Sequence, residues 1–367
     1  MKRTARLAPL LVSVLLAGCG PDLPELEYAI EVVELTSSVF HTGDHLGGPT
    51  ALEVADGRLF MIDSYADHSL HVVDLETGSL SASVGAIGDG PAEFRSPFAI
   101  ALDADGRPWV SDIALQRITR IDPAGLEDAT AWAAEVLALQ NVPYVWDFVW
   151  TADNTLFAGG SFGRDRFGIL TPDGSLSGVR GTFPPLEREV PAHVLQAVYM
   201  PEIASRPDMR AIVSATRWDD RVEIWDADGR LLREVRAPIS VTPVVDLIER
   251  QGLVAPSFDR SRAAYLSVAT TDDHIFALFS ARTATEWEDR QLFGRDVHVF
   301  DWDGRLVSVL RLDRDALVLT ADPEHGRLLT VEFDPVPAVL AYDLPVLPGV
   351  ETPTRVASTA RASENRE

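Results

Sequence analysis

Residues 88–126 read GDGPAEFRSPFAIALDADGRPWVSDIALQRITRIDPAGL. Three short runs stand out: Pro97 to Asp103, Pro108 to Asp112, and Gln116 to Asp122. Each is apolar and rich in β-branched or aromatic residues, and each ends in Asp. Ala104-Asp105-Gly106-Arg107 separates the first two, and Pro123-Ala124-Gly125 follows the third. Runs of this length bounded by Asp, Gly and Pro predict strands joined by tight turns.

The phrase recurs along the chain. Its third strand ends at Val73-Asp74, Ile121-Asp122, Leu170-Thr171, Trp225-Asp226, Phe300-Asp301 and Tyr342-Asp343. A turn glycine follows at Gly78, Gly125, Gly174, Gly229 and Gly304, at intervals of 47, 49, 55 and 75. A period of 40–50 residues with about four short strands per unit is the mark of a β-propeller. Six units are counted, with first strands near residues 50–56, 97–103, 145–151, 197–204, 263–270 and 316–322. The fold expected is all-β, a six-bladed propeller over 28–348. Two irregularities interrupt it. The link 237–261 contains Val244-Val245-Asp246-Leu247-Ile248-Glu249-Arg250, whose apolar spacing predicts a short helix, and an insertion falls near 282–294. The last unit stops after three strands, at Ala338 to Tyr342. The linker His41-Thr42-Gly43-Asp44 … Pro49 parallels Gly85 … Pro97, so the orphan run Tyr28 to Leu35 is expected to complete the last blade and leave no open seam.

Residues 88–126 resemble an NHL-type propeller repeat, as do those of the unit before. The whole chain resembles the six-bladed, TolB-like or NHL-like propeller lipoproteins of bacteria. That resemblance implies a fold and hardly implies a reaction, because propellers host many functions.

The first residues address the chain to a membrane. Lys2, Arg3 and Arg6 precede an apolar run from Leu7 to Leu16, and Leu16-Ala17-Gly18-Cys19 ends it. Basic, apolar and small-residue regions in that order predict a signal peptide over 1–18. With the chain's single cysteine at the cut, the motif resembles the lipobox of bacterial lipoproteins. The resemblance implies diacylglycerol on Cys19 and acylation of the new amino terminus; more than one chain gives stable anchoring. Residues 19–27 then form the lipidated Cys and a spacer, and 349–367, poor in large apolar residues, read as a disordered tail. The localisation expected is the bacterial cell envelope, facing the periplasm or the exterior.

Charge limits the partners. The chain has 56 Asp and Glu against 32 Lys and Arg, for a net charge of −24, and the leader holds three of the basic residues. Such a surface repels phosphate backbones, so nucleic acid is not an expected partner.

Few residues suggest chemistry. Gly159-Gly160-Ser161-Phe162-Gly163 matches G-x-S-x-G, yet a hydrolase elbow needs a helix after the serine. Here Phe167-Gly168-Ile169-Leu170 reads as a second strand, so a hairpin is expected and no catalytic residue is assigned. His41, His45, His68 and His71 lie close in sequence, without a thiol or a close carboxylate set to complete a zinc site; no metal residue is assigned. Asp63 and Asp112 hold matching places after second strands, where Asp bonds the backbone of the following turn. The loops of one face carry Tyr65, His68, Arg95, Tyr144, Trp146, Arg164, Arg166, Arg217, Trp218 and Arg282. Arginines beside aromatics suit an anionic or sugar-like ligand.

The function expected is a membrane-anchored module that binds a protein or small ligand on one propeller face. The alternative is a propeller lactonase, hydrolase or lyase with a divalent metal in the channel, for which the inner strands offer Glu53, Asp147 and Glu202. Calcium is the one cofactor left open. A third possibility is a packing subunit of an envelope complex.

Overall fold

The computed structural model describes residues 26–348, except 129, 143, 187, 251 and 287–291. Cys19, the leader and the segment 349–367 lie outside the described residues, as does the middle of the expected insertion.

Six four-stranded antiparallel arrangements surround an axis. Their innermost strands are Ala51–Ala55, Pro97–Leu102, Val145–Trp150, Pro201–Ser205, Tyr265–Thr270 and Leu319–Asp322. The strand period of two gives each blade two apolar faces, and each face meets a neighbour. Leu59, Met61 and Val73 of the first blade pack on Leu329, Val331 and Val339 of the sixth. Phe60, Ile62 and Val72 pack on Val110, Ile121 and Trp132 of the second. Equivalent clusters fill the other four seams. The core is therefore a ring of interfaces around an open axis.

Asp residues at strand ends bond the turns that follow them. Asp103 accepts from the backbone N–H of Asp105 and Arg107, and from Arg107 Nε and Trp109 Nε1 at 2.8 Å. Asp301, at the end of a third strand, likewise accepts from the amides of Asp303 and Arg305 in the turn that follows it. Each carboxylate satisfies donors that the tight turn would otherwise leave unpaired.

Closure differs from expectation in its details. The outer strand of the sixth blade is Ser38–Thr42, not 28–35. It pairs antiparallel with Ala338–Asp343, with Val39 opposite Leu340 and His41 opposite Val339. Val32–Leu35 instead lies parallel to Leu306–Ala316 as a fifth strand of the fifth blade, with Leu35 opposite Leu312. The amide of Ser37 at the corner donates to Asp313 Oδ1 at 3.2 Å. One continuous N-terminal run thus clasps two blades. The more apolar half went to the blade edge where Leu35 could join the cluster around Leu310 and Leu312.

Two other elements depart from the sequence pattern. Asp246–Arg250 is a strand, not a helix; it forms a hairpin with Leu253–Ser257, Arg250 opposite Leu253. Gly252, whose φ is +78°, permits the reversal between the two strands. The helix lies elsewhere, at Ala192–Val198, so the fourth inner strand begins at Pro201 instead of 197. Val194, Val198 and Tyr199 pack with Leu247 and Phe258, so helix and hairpin form a cap on the face where outer strands lead into inner ones. Among the described residues no helix is long and apolar enough to cross a membrane.

Candidate functional site

The six inner strands enclose a channel of about 880 Å³ that runs between the two faces. Its wall is mostly apolar, from residues such as Phe98, Val149, Ile203 and Val268, with Tyr65 at one mouth. Charged residues interrupt three otherwise apolar strands: Glu53, Asp147 and Glu202. All three line the channel, and Arg217 joins them.

Arg217 follows the second strand of the fourth blade, Ala211–Thr216. Its amide donates to Met200 O at 3.2 Å and its carbonyl accepts from Ala264 N at 2.7 Å, which fixes it between two blades. Its Nε donates to Glu202 Oε1 at 3.0 Å, and its Nη2 to the same oxygen. Asp147, on the neighbouring strand, accepts from the amides of Ile203 and Phe148 at 2.7 and 2.8 Å. Among the described residues Glu53 accepts only from its neighbour Val54 N, at 3.2 Å.

The electrostatics follow from that arrangement. Burial pushes Glu53 up to about 7. Burial and then the charge of Glu202 push Asp147 well above the usual carboxylate range, against the pull of two amides and Arg217. Burial raises Glu202 too, although Arg217 opposes it. Asp56, Asp103, Asp322 and Glu324 also line the channel, so Glu53, Asp147 and Glu202 are three of seven lining carboxylates beside one lining guanidinium, and that guanidinium is already committed. Among the described residues no group of three or more His, Cys, Asp or Glu side chains is arranged to hold a metal ion.

Of the loop residues singled out by sequence, Tyr65 and Arg217 line the channel. The others are dispersed. Arg95 is exposed and paired with Asp89, and Arg164 is exposed with Glu189 at 3.7 Å. Tyr144 is exposed. Trp146 turns away from the channel, its indole nitrogen 3.3 Å from where a Cβ on Gly159 would stand. Trp218 is buried and stacks on Phe258, ring centroids 4.5 Å apart. Arg166 is buried against Glu223 in the seam between third and fourth blades, Nη1 to Oε1 2.7 Å. Arg282 is half-buried near Glu286 and Arg262. His68 lies in the loop beside His71. The expected cluster of arginines and aromatics is therefore not one surface. Arg166 and Trp218 are buried and serve packing, and Trp146 is half-buried beside Gly159.

The G-x-S-x-G segment is a hairpin, Leu156–Phe162 returning as Asp165–Leu170. Ser161 Oγ donates to Gln196 Oε1 at 2.9 Å, and Gln196 Nε2 donates to Gly163 O. Its glycines have structural duties. A Cβ on Gly160 would come within 2.0 Å of Tyr144 O, and Gly163 turns with φ +72°. Asp63 accepts from the amides of Gly47, Gly48 and Tyr65. Asp112 accepts from those of Arg95, Ser96, Ala114 and Leu115. Both tie the linker into a new blade to the turn beside it, as the repeated position implied.

What single residues did not announce is the pairing of Arg217 with Glu202. The available signal was the lone charged residue in each of three apolar inner strands.

Solved structures of other proteins are similar to this chain. A protein from Bacteroides fragilis NCTC 9343, provisionally described as exported, superposes with a TM-score of 0.51 at 11% identity, covering 86% of this chain and 96% of its own. The β-propeller domain of Cps50 (Swd1) from Myceliophteria thermophila gives 0.48 at 11% identity, covering 84% and 100%. No curated protein matches the sequence. A profile described as TolB-like 6-blade propeller-like matches residues 29–322. With six blades in place and most of its length matched, the chain belongs to the TolB-like six-bladed propeller family.

Proposed function

We propose that this protein is a lipid-anchored envelope lipoprotein whose propeller channel binds a small ligand carrying a positively charged group. One observation carries the reading: Glu53, Asp147 and Glu202 face a largely apolar channel of about 880 Å³ whose only lining guanidinium, Arg217, is already bonded to Glu202. That volume lies within the range of small-molecule sites, and a mostly apolar wall with a few convergent polar groups is their usual character. Carboxylates held neutral by burial at a cost are stabilised in their charged form when a cation arrives. The anionic or sugar-like ligand expected from the loop arginines is thus replaced by its electrostatic opposite. An organic cation fits better than calcium, which asks for six to eight oxygens.

A thermal-shift and calorimetric series with diamines and triamines, and with calcium as comparison, tests this. An amine should bind at pH 8, and its affinity should fall about tenfold by pH 6, because Glu53 then carries a proton. Asp147→Asn should weaken binding at least tenfold. Equal binding by the parent and Asp147→Asn, or binding of anions in place of amines, would sink the channel reading.

The anchor rests on Leu16-Ala17-Gly18-Cys19 after a basic and apolar leader. Cys19→Ser should move the protein from the membrane fraction to the soluble one, or leave the leader uncut. A variant that stays acylated and membrane-bound would refute it.

A further inference from the structure

Four of the eight histidines of the chain fall within residues 41–71, and three of them meet at the seam where the ring closes. His41 stands on the closing strand Ser38–Thr42, 6% exposed. Its Nδ1 lies 2.8 Å from Gly78 O, in the turn before the outer strand of the first blade. Its Nε2 lies 2.9 Å from Nε2 of His45, in the linker. His71, on Leu70–Asp74 of the first blade, is 1% exposed, and its ring centroid is 5.1 Å from that of His45. The three rings therefore join the sixth blade, the linker and the first blade.

We propose that His45 and His71, packed with His41 at this seam, form an acid-sensitive clasp, which holds the closing strand while those two rings are neutral and loosens it when they take up protons.

The hydrogen bonds set the limit. A carbonyl only accepts, so His41 Nδ1 carries a proton toward Gly78 O. Neutral His41 then accepts at Nε2 from His45 Nε2–H. One added proton is tolerated, since His41 can donate from both nitrogens if His45 shifts its proton to Nδ1. A second proton places two N–H groups face to face at 2.9 Å. His71 has no such reserve. Its Nδ1 meets Ser83 Oγ at 2.8 Å, and its Nε2 has no hydrogen-bond partner. The nearest anion is Asp63 Oδ2 at 3.8 Å, and that oxygen already accepts from the amides of Gly47 and Gly48.

The surrounding charges agree. Burial pushes His71 down to about 4; His45, His68 and His41 add to the push, and Asp63 opposes it. Burial and His41 lower His45, against Asp63 and Asp44. On the side of the sixth blade Arg327 lies over the ring of Phe40, next to His41, 4.5 Å from its centroid, and is itself held by Asp322. A histidine held below its usual value is neutral in the closed ring and protonated in an opened one. Its contribution to closure is therefore complete above about pH 6.5 and is lost as pH falls toward 4.

Hydrogen exchange on the full chain, read as protection factors at pH 7 and pH 5 with a chelator present, tests the clasp. Protection of residues 38–48 should drop at least tenfold from pH 7 to pH 5, while the strands of the third blade keep theirs within about threefold. His71→Gln should flatten that dependence. Should it fold poorly, His45→Gln, at a half-buried linker position, should reduce the dependence at least threefold. The proposal is overturned by equal protection of 38–48 at both pH values. It is overturned equally by a loss of protection that is uniform across all blades, or by one unchanged in both variants.

Discussion

A chain lacking residues 32–42 is expected to lose most or all of its stability, because two blades lose their outermost strands together. Val32–Leu35 makes four residue pairs with the fifth blade, and Ser38–Thr42 makes four with the sixth. At a net value of about 1 kcal/mol per backbone hydrogen bond, the ladders alone are worth roughly 5 kcal/mol. Leu35, 8% exposed, and His41, 6% exposed, add buried contacts. The sum approaches the 5–15 kcal/mol that separates a typical folded domain from its unfolded chain. The loss also exposes Ala338–Asp343 as an unpaired edge ready to pair with other molecules. The upstream contacts do not compensate. Tyr28 OH donates to Asp296 Oδ2 at 2.8 Å and Arg311 Nη2 to Leu26 O at 2.8 Å, but both bind the fifth blade only. Circular dichroism melts should show a midpoint more than about 15 °C below the parent, or no cooperative transition. A midpoint within about 3 °C would show that the ring closes without the clasp.

The second large effect is expected at the seam between the third and fourth blades. The Arg166 and Glu223 side chains are 2% and 3% exposed, and Arg166 Nη1 bonds both carboxylate oxygens. Glu223 also accepts from Ser214 Oγ at 3.1 Å and has Arg221 at 3.7 Å. Among the described residues Arg166 makes no second ion pair within 4 Å; its guanidinium sits 5.0 Å from the centroid of Phe167. Glu223→Leu therefore strands a buried cation and should cost about 3–5 kcal/mol. Arg166→Met should cost less, about 2 kcal/mol, since Glu223 keeps Ser214 and Arg221. The double variant should cost less than the sum of the two, because no unpaired charge remains at that point. Urea unfolding of the four proteins measures the coupling. Strict additivity would mean that the pair contributes nothing as a pair.

The sequence by itself determined the blade. The repeat of apolar runs ending in Asp, with a turn glycine after each third strand, is local chemistry. Strand alternation and the bonding of turn amides by Asp103, Asp112 or Asp301 need no distant partner, so they can be read from neighbours in the chain. The hairpin at Gly159 to Gly163 was legible for the same reason. Counting the blades, and recognising that an N-terminal strand must complete the last one, followed from arithmetic on those units.

Tertiary structure alone decided which strand that was, because Val32–Leu35 and Ser38–Thr42 are both plausible edges and only the blades they meet distinguish them. It also made a hairpin of Asp246–Arg250, where packing against the helix Ala192–Val198 overrode the spacing of apolar residues. Above all it sorted the charges. Arg166 and Arg217 look alike in sequence, each among polar neighbours near a strand end. One is sealed between two blades and the other lines the channel, since the direction of a side chain depends on register and on the twist of its blade. The same holds for Glu53, Asp147 and Glu202, which stand far apart in the chain and share one channel only because six strands close a ring around it.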